Sequence, residues 1–410
     1  MKTTPRSTSQ RRATDGARTS APRLTLWRKL VGASLLVLLA SCGGGGHNAP
    51  LPSVSSSANS AQPDNAAIDS YVQSELKRQS IPGLALVVQQ NGKLVYAKGY
   101  GYANLEQGSA ASTEQRFQIG SISKQFAAGA AMLLVEEGKM ALDDRISKFI
   151  GPVPAQWEAI TVRHILTHTS GLPTDVDDAV YSQAARRGAY SSDEILAILK
   201  TSKPLTEAGK VFAYSNVGYE VMGIIVEKVS GAFFGDFLQT RIFAPLGMSS
   251  ARAISANGAG SARGYVVQGG KITPLAMEAI SAGELSWYRT GAGGIEMSAN
   301  DLAKWDASLA TEKVLKKSSI DQMWAPGVLV EAGAGYTIHY GFGWFSSDYL
   351  GHPKVYHSGG MASFTTDYVH YTKDQLSVIV LTNLGSAWSD PQPIARSVAN
   401  MYVPGILPPQ

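Results

Sequence analysis

The sequence predicts an α+β fold: an antiparallel sheet flanked by helices, with a mostly helical subdomain. Three observations predict it. Strand-like runs sit near both ends of the chain, helix-like runs fill the middle, and Asn91-Gly92 separates two apolar runs as a tight hairpin would. Strands from both termini with helices between them imply one sheet built from the two ends around a helical insertion.

Taken in order, Ile68, Val72 and Leu76 recur at helical spacing and predict a first helix. Runs 84–89 and 93–100 flank Asn91-Gly92 and form the predicted hairpin. The stretch of about 120–310 reads largely helical, with helices predicted at 215–229 and 298–309. Strands are predicted at 341–345, 355–358, 365–371 and 376–381, and a closing helix at 394–402. No internal repeat is present. About 340 residues follow the N-terminal segments, more than one hydrophobic core usually serves, so two packed subdomains are expected.

Charge is distributed unevenly. Residues 1–41 hold eight of the 36 basic side chains and one of the 32 acidic ones, which leaves 28 against 31 and a net charge of −3 for the remainder. That remainder has no basic excess to neutralise phosphates, so nucleic acid is not an expected partner. The basic head precedes a short apolar run, Leu30 to Ala40, in a signal-peptide layout; the run is too short for a comfortable bilayer span. It ends in Leu39-Ala40-Ser41-Cys42, and Cys42 is the sole cysteine. That quartet resembles a bacterial lipoprotein processing site, so residues 1–41 are expected to be removed and Cys42 lipidated. A mitochondrial transit peptide and a twin-arginine signal at Arg11-Arg12 fit the layout less well. Residues 42–65, opening with four glycines, read as a flexible tether. The expectation is an exported domain, 66–405, held at the periplasmic face by an N-terminal lipid. Gly43 is not the acidic residue that hints at inner-membrane retention, so the outer membrane of a Gram-negative cell is the expected address. One cysteine allows no intrachain disulfide.

Three short motifs carry the chemistry. Ser121-Ile122-Ser123-Lys124 opens a stretch, 126–135, that is apolar on every face and therefore a buried helix, ending near Gly138. Ser121 would sit at its N-terminus with Lys124 one turn on and on the same face. A free N–H there can face an oxyanion. Burial and the positive helix end both disfavour an ammonium, and a neutral lysine beside a hydroxyl is a general base. Ser74-Glu75-Leu76-Lys77 repeats the spacing on a polar helix, where its lysine would be solvated. Second, Tyr214-Ser215-Asn216 begins an apolar helix; a phenol near a lysine can share the base role, and an Asn amide can orient a substrate carbonyl. Tyr102-Ala103-Asn104 has the same spacing ahead of any nucleophile. Third, His357-Ser358-Gly359-Gly360 ends a strand-like run, where paired glycines mark close approach of another backbone, and the Gly360 N–H could be a second oxyanion donor.

In this order, with long helical sequence between them, the motifs resemble the serine β-lactamase and penicillin-binding-protein superfamily. Its class C-like branch, which includes D-alanyl-D-alanine carboxypeptidases, D-aminopeptidases and related esterases, is the nearest match. The likeness spans about 66–405 and is reinforced by the segments Ile165 to Leu172 and Gly291 to Ile295. It implies Ser121 as nucleophile, Lys124 and Tyr214 as base and proton relay, and Asn216 as the contact to the substrate amide. His357 and Gly359 would line the substrate strand, and the Ser121 and Gly360 N–H groups would hold the oxyanion. No cofactor is implied. The expected partner is a small-molecule ester, amide or peptide substrate, the D-alanyl-D-alanine peptidase reading being one alternative and a non-catalytic tethered binding or sensor module another. One position departs: β-lactamases of this branch carry Lys-Thr-Gly where this chain has His357-Ser358-Gly359, which argues against efficient β-lactam hydrolysis.

Other signals are weaker. His164 and His168 stand four apart, but no Glu follows His164 and no third ligand is clustered, so no metal is expected. Neither an α/β-hydrolase nucleophile elbow nor a phosphate-binding glycine loop occurs. Trp344, Phe345, Tyr356 and Phe364 read as core, with a hydrophobic substrate wall as the second reading.

Overall fold

The computed structural model describes residues 63–176, 191–254, 260–275, 291–333 and 335–407. All of them lie in Ala58–Gln410, the second of two units into which the chain divides. The expected signal segment 1–41, Cys42 and all but the last few tether residues lie outside the described residues. Among the described residues, no helix is long and apolar enough to cross a membrane.

The first helix, Asn65–Gln79, starts where the Asp64 carboxylate accepts the Ala66 N–H at 2.9 Å, and it buries Ile68 and Val72. Strands β1 (Gly83–Gln90) and β2 (Lys93–Asn104) follow, joined through Asn91 and Gly92 with φ of 52° and 69°. Both values lie in the left-handed region that a type I′ turn demands. Short strands β3 (Ser109–Ala110), β4 (Phe117–Gln118), β5 (Arg252–Ala253), β6 (Tyr265–Gln268), β7 (Lys271–Pro274) and β8 (Ile295–Met297) lie in and around the helical middle. The C-terminal part supplies β9 (Val328–Gly333), β10 (Tyr336–Tyr340), β11 (Phe345–Tyr349), β12 (His352–Gly360), β13 (Thr365–Tyr371) and β14 (Leu376–Thr382).

Among the described residues, nine strands form one antiparallel sheet in the order β3-β2-β1-β14-β13-β12-β11-β10-β9. The two chain ends meet where β1 pairs with β14, Leu84 opposite Thr382 and Val88 opposite Val378. Alternation along these strands separates two cores. Leu84, Leu86, Val88, Val378 and Val380 face the first helix and the closing helix, Gln392–Tyr402. Ala85, Val87, Ile379 and Leu381 face the helical side, with Phe126 and Trp305.

Two expectations need correction. Residues 341–344 form a turn, and the strand begins at Phe345. Gly343, at φ 79°, lets that turn press on the Ser123–Glu136 helix, since a Cβ there would stand 2.7 Å from the Lys124 carbonyl oxygen. Among the described residues of 120–310 the structure also holds strands that were not expected: β5 and β8 form a small sheet with β4, and β6 with β7 forms a hairpin.

A buried carboxylate fastens the helix Ala299–Ser308 to the sheet. Asp306 accepts from the Tyr368 hydroxyl at 2.5 Å and the Ser377 hydroxyl at 2.7 Å, and lies 2.9 Å from His370 Nδ1. Asp306→Ala would strand these donors and is expected to lower unfolding free energy by about 2–4 kcal/mol, read from the urea midpoint.

Candidate active site

Ser121 lies in a single 3₁₀ turn, Gly120–Ile122, that runs directly into the helix Ser123–Glu136. That helix is buried along Ser123 to Leu134, as its all-round apolar sequence predicts, so Lys124 has no solvent exposure while Ser121 stays partly open. The Lys124 amine lies 3.1 Å from Ser121 Oγ, 2.8 Å from Asn216 Oδ1 and 2.7 Å from the Ala292 carbonyl oxygen. Burial pushes it down to about 7, against the opposing pull of Asp175 and Glu220. The donor count gives this meaning. A neutral amine has two N–H donors and one lone pair, and two of its three partners are carbonyl oxygens that can only accept. In the neutral form the two N–H groups go to Asn216 and Ala292, and the lone pair faces the Ser121 hydroxyl.

Ala292 reaches the lysine because the segment around it packs against two helices. A Cβ on Gly291 would lie 2.8 Å from both the Ala127 Cβ and the Tyr219 carbonyl oxygen, so only glycine fits. This accounts physically for the Gly291–Ile295 segment noted in the sequence.

Tyr214 and Asn216 stand at the start of the helix Asn216–Ser230, whose N-cap is Ser215. The Tyr214 phenol is hydrogen-bonded to Ser121, and burial holds it well above its ordinary value, so it keeps its proton. Lys124 Nζ stands 4.9 Å from the centre of its ring. The residues after His164 hold this tripeptide in place. His168 Nδ1 accepts the Ser215 N–H at 3.0 Å, the Pro173 carbonyl accepts the Ser215 hydroxyl at 2.7 Å, and the Thr174 carbonyl accepts the Asn216 N–H at 2.9 Å. The His168 ring lies 4.2 Å from that of Tyr214, and burial keeps the imidazole neutral. His164 Nδ1 instead accepts the Thr161 N–H, so the two histidines serve backbone groups. Among the described residues, no group of three metal-ligating side chains comes together.

The third motif closes the site along β12. Gly359 packs on the turn ahead of Ser121: a Cβ there would overlap the Ile119 carbonyl oxygen, and a Cβ on Gly120 would lie 3.0 Å from the Gly360 nitrogen. His357 is buried, with its ring centre 6.3 Å from that of Tyr214. Its Nδ1 lies 2.7 Å from the Ser358 carbonyl oxygen, a pure acceptor, so Nδ1 carries the proton and Nε2 accepts from the Tyr340 hydroxyl at 3.1 Å. Burial, then Lys124, hold the imidazole down to about 3.

The structure thus brings Ser121, Lys124, Tyr214, Asn216, His357, Gly359 and Gly360 together. It separates the look-alikes. Ser74 donates to the Tyr71 carbonyl on the exposed side of the first helix, and Tyr102 is exposed at the end of β2. A second His-x-Gly, His339-Tyr340-Gly341, contributes Tyr340 rather than its histidine. Trp344 and Phe364 are core residues. Three groups escaped sequence reasoning: the Ala292 carbonyl, Tyr340, and Asp175, whose Oδ1 accepts from Asn216 Nδ2 at 2.9 Å. Ala292 lies within the Gly291–Ile295 segment and Asp175 just beyond the Ile165–Leu172 segment, but neither segment pointed to the carbonyl or to the carboxylate.

Comparison with known proteins bears on the family and the fold. The family model described as Beta-lactamase matches residues 68–399. Penicillin-binding protein 4* of Bacillus subtilis is 27% identical over 73% of this chain and 67% of its own length. Protein flp of Staphylococcus aureus is 28% identical over 78% of this chain; the match spans 63% of that protein, so this chain covers under two thirds of it. Among solved structures, the octameric penicillin-binding protein homologue from Pyrococcus abyssi superposes with a TM-score of 0.71 at 27% identity, covering 82% of this chain and 77% of that one. EstCE1, a hydrolase with promiscuous acyltransferase activity, shares the fold with a TM-score of 0.69 at 20% identity, over 82% of this chain and 98% of its own.

Gly359→Ala is expected to force β12 away from the Ile119–Ser121 turn. The rate of Ser121 acylation should fall about 10²-fold, the scale of losing one oxyanion donor, which single-turnover labelling with a fluorophosphonate would measure.

Proposed function

The chain belongs to the beta-lactamase family of serine hydrolases, and from that premise we propose that it cleaves ester or amide bonds through an acyl-enzyme on Ser121. The observation that carries the proposal is the buried Lys124 amine 3.1 Å from Ser121 Oγ, with its other partners both carbonyl oxygens.

In this mechanism Lys124 takes the Ser121 proton as Oγ attacks the substrate carbonyl. The Ser121 and Gly360 N–H groups hold the oxyanion. Tyr214 starts as a phenol, so it is the donor: it protonates the leaving group and recovers its proton from Lys124. Water then attacks the acyl ester by the reverse relay, and Ser121 is restored. Asn216 and the β12 edge orient the substrate. A neutral His357 offers no cation to a substrate carboxylate, which favours uncharged esters and amides. The similarity to penicillin-binding proteins supports a second reading, a D-alanyl-D-alanine carboxypeptidase. Activity on short acyl esters against D-Ala-D-Ala peptides separates the two.

Ser121→Ala is expected to abolish turnover with melting temperature nearly unchanged. Mass spectrometry after fluorophosphonate, and separately penicillin, should find the adduct on Ser121. Turnover by the alanine variant at the wild-type rate would overturn the assignment, and failure to label would favour a non-catalytic binding module. The base must be uncharged to act, so kcat/KM should fall as pH drops through about 7, where Lys124 becomes protonated. We further propose export and lipid attachment at Cys42, supported by the basic head, the apolar run and the sole cysteine. Cys42→Ser should then lose palmitate labelling and leave the membrane fraction.

A further inference from the structure

Asp175 is an exposed carboxylate at the rim of the site, and the family comparison assigns it nothing. Its place is set by the backbone that grips the second motif. The preceding residue, Thr174, accepts the Asn216 N–H through its carbonyl and donates its hydroxyl to the Tyr214 carbonyl at 3.0 Å. Asp175 Oδ1 then meets Asn216 Nδ2 at 2.9 Å, while Asn216 Oδ1 meets the Lys124 amine at 2.8 Å. A hydrogen-bonded line therefore runs from solvent through the carboxylate and the amide to the buried lysine.

An amide in that position has two orientations. With its lone pair given to Ser121, Lys124 has only N–H donors left for Asn216, and the carboxylate has only acceptors. Turning the amide over would set N–H against N–H at one end and oxygen against oxygen at the other. The two neighbours thus favour the same orientation, one from each end of the amide. We propose that Asp175 is a positioning residue that holds the Asn216 amide carbonyl toward Lys124 and, through its negative charge, biases that lysine toward its protonated form. The inference rests on the reading of Lys124 as the base.

The other groups facing Lys124 are two phenols, two imidazoles and one further carboxylate. Tyr214 and Tyr219 present their rings, at 4.9 and 5.6 Å to centroid, and burial keeps both phenols protonated. His357 and His168 are buried and neutral. Glu220, one turn along the helix from Asn216, is buried and favours the charged lysine, as Asp175 does. Of the two carboxylates, Asp175 is the exposed one, so its influence should be screened by salt while that of Glu220 should persist.

The test is the pH dependence of kcat/KM on an uncharged ester for wild type, Asp175→Asn and Asp175→Ala, at low and at 1 M salt. Fluorophosphonate labelling of Ser121 serves as the check on the base reading. Asp175→Asn keeps an acceptor for Asn216 Nδ2 and removes the charge. The acid limb should move to lower pH by about half a unit, with a smaller displacement at 1 M salt. Asp175→Ala loses the acceptor too, so the same displacement should come with a limiting rate about tenfold lower than that of the asparagine variant. A wild-type limb near pH 7 that stays put in both variants overturns the inference and leaves the base reading standing. A wild type with neither the limb nor Ser121 labelling overturns both.

Discussion

The arrangement depends on keeping water away from one amine. A solvated lysine holds its proton at neutral pH and cannot act on a hydroxyl; Lys124 is different because it sits in a helix whose every face is buried. The rest of the fold serves that burial. The sheet covers one side, the helix Asn216–Ser230 packs on another, and the glycine-lined segments at Gly291 and Gly343 bring backbone within reach where a side chain would not fit. Burial alone would leave polar hydrogens stranded, so the Ala292 backbone and the Asn216 side chain each supply a carbonyl oxygen.

This explains which parts of the site were legible in sequence. Ser121 and Lys124 announce themselves because a short spacing in a helix fixes a spatial relation, and the apolar run around them fixes the burial. Tyr214 and Asn216 were legible as a capped helix start. Gly359 and Gly360 were legible because paired glycines in a strand imply close backbone approach, and the Ile119 carbonyl proves to be what approaches. Ala292, Tyr340 and Asp175 were not legible. A backbone carbonyl has no residue signature, and an aspartate on a loop looks like any other until tertiary contacts bring Asn216 beside it. The same limit applies to the fold: the Asn91-Gly92 hairpin is local and was predicted, whereas the turn at 341–344 packs at Gly343 against a helix distant in sequence.

Spacing without environment also misleads in three dimensions. Ser377, His370 and Asp306 lie within hydrogen-bonding distance of one another and contain the side chains of a catalytic triad. Yet the serine hydroxyl and the carboxylate both meet the same imidazole nitrogen, and Ser377 donates directly to Asp306. The carboxylate is satisfied by the hydroxyl it would have to activate through the ring, and Ser377 is buried in the sheet. That cluster holds a helix to the sheet. At Ser121 the hydroxyl is partly open and stands beside the Lys124 amine and the Tyr214 phenol, the arrangement on which the proposed acyl transfer rests.

The histidine on β12 carries the electrostatic logic through to the substrate. Lys124 and His357 each disfavour a second positive charge nearby, and His357 gives way: Nδ1 is tied to its own strand and Nε2 to Tyr340. Within this pair, then, only the lysine can carry charge near neutral pH, and in the proposed mechanism its charged form is the inactive one. A substrate carboxylate bound along β12 would stabilise that ammonium and so raise the pH needed for catalysis. A neutral ester or amide places no such demand on the base. A fixed cation in place of His357 would itself drive the proton off Lys124; with a buried neutral imidazole there, burial alone carries that task, and in the proposed mechanism no cation on β12 is offered to a substrate carboxylate.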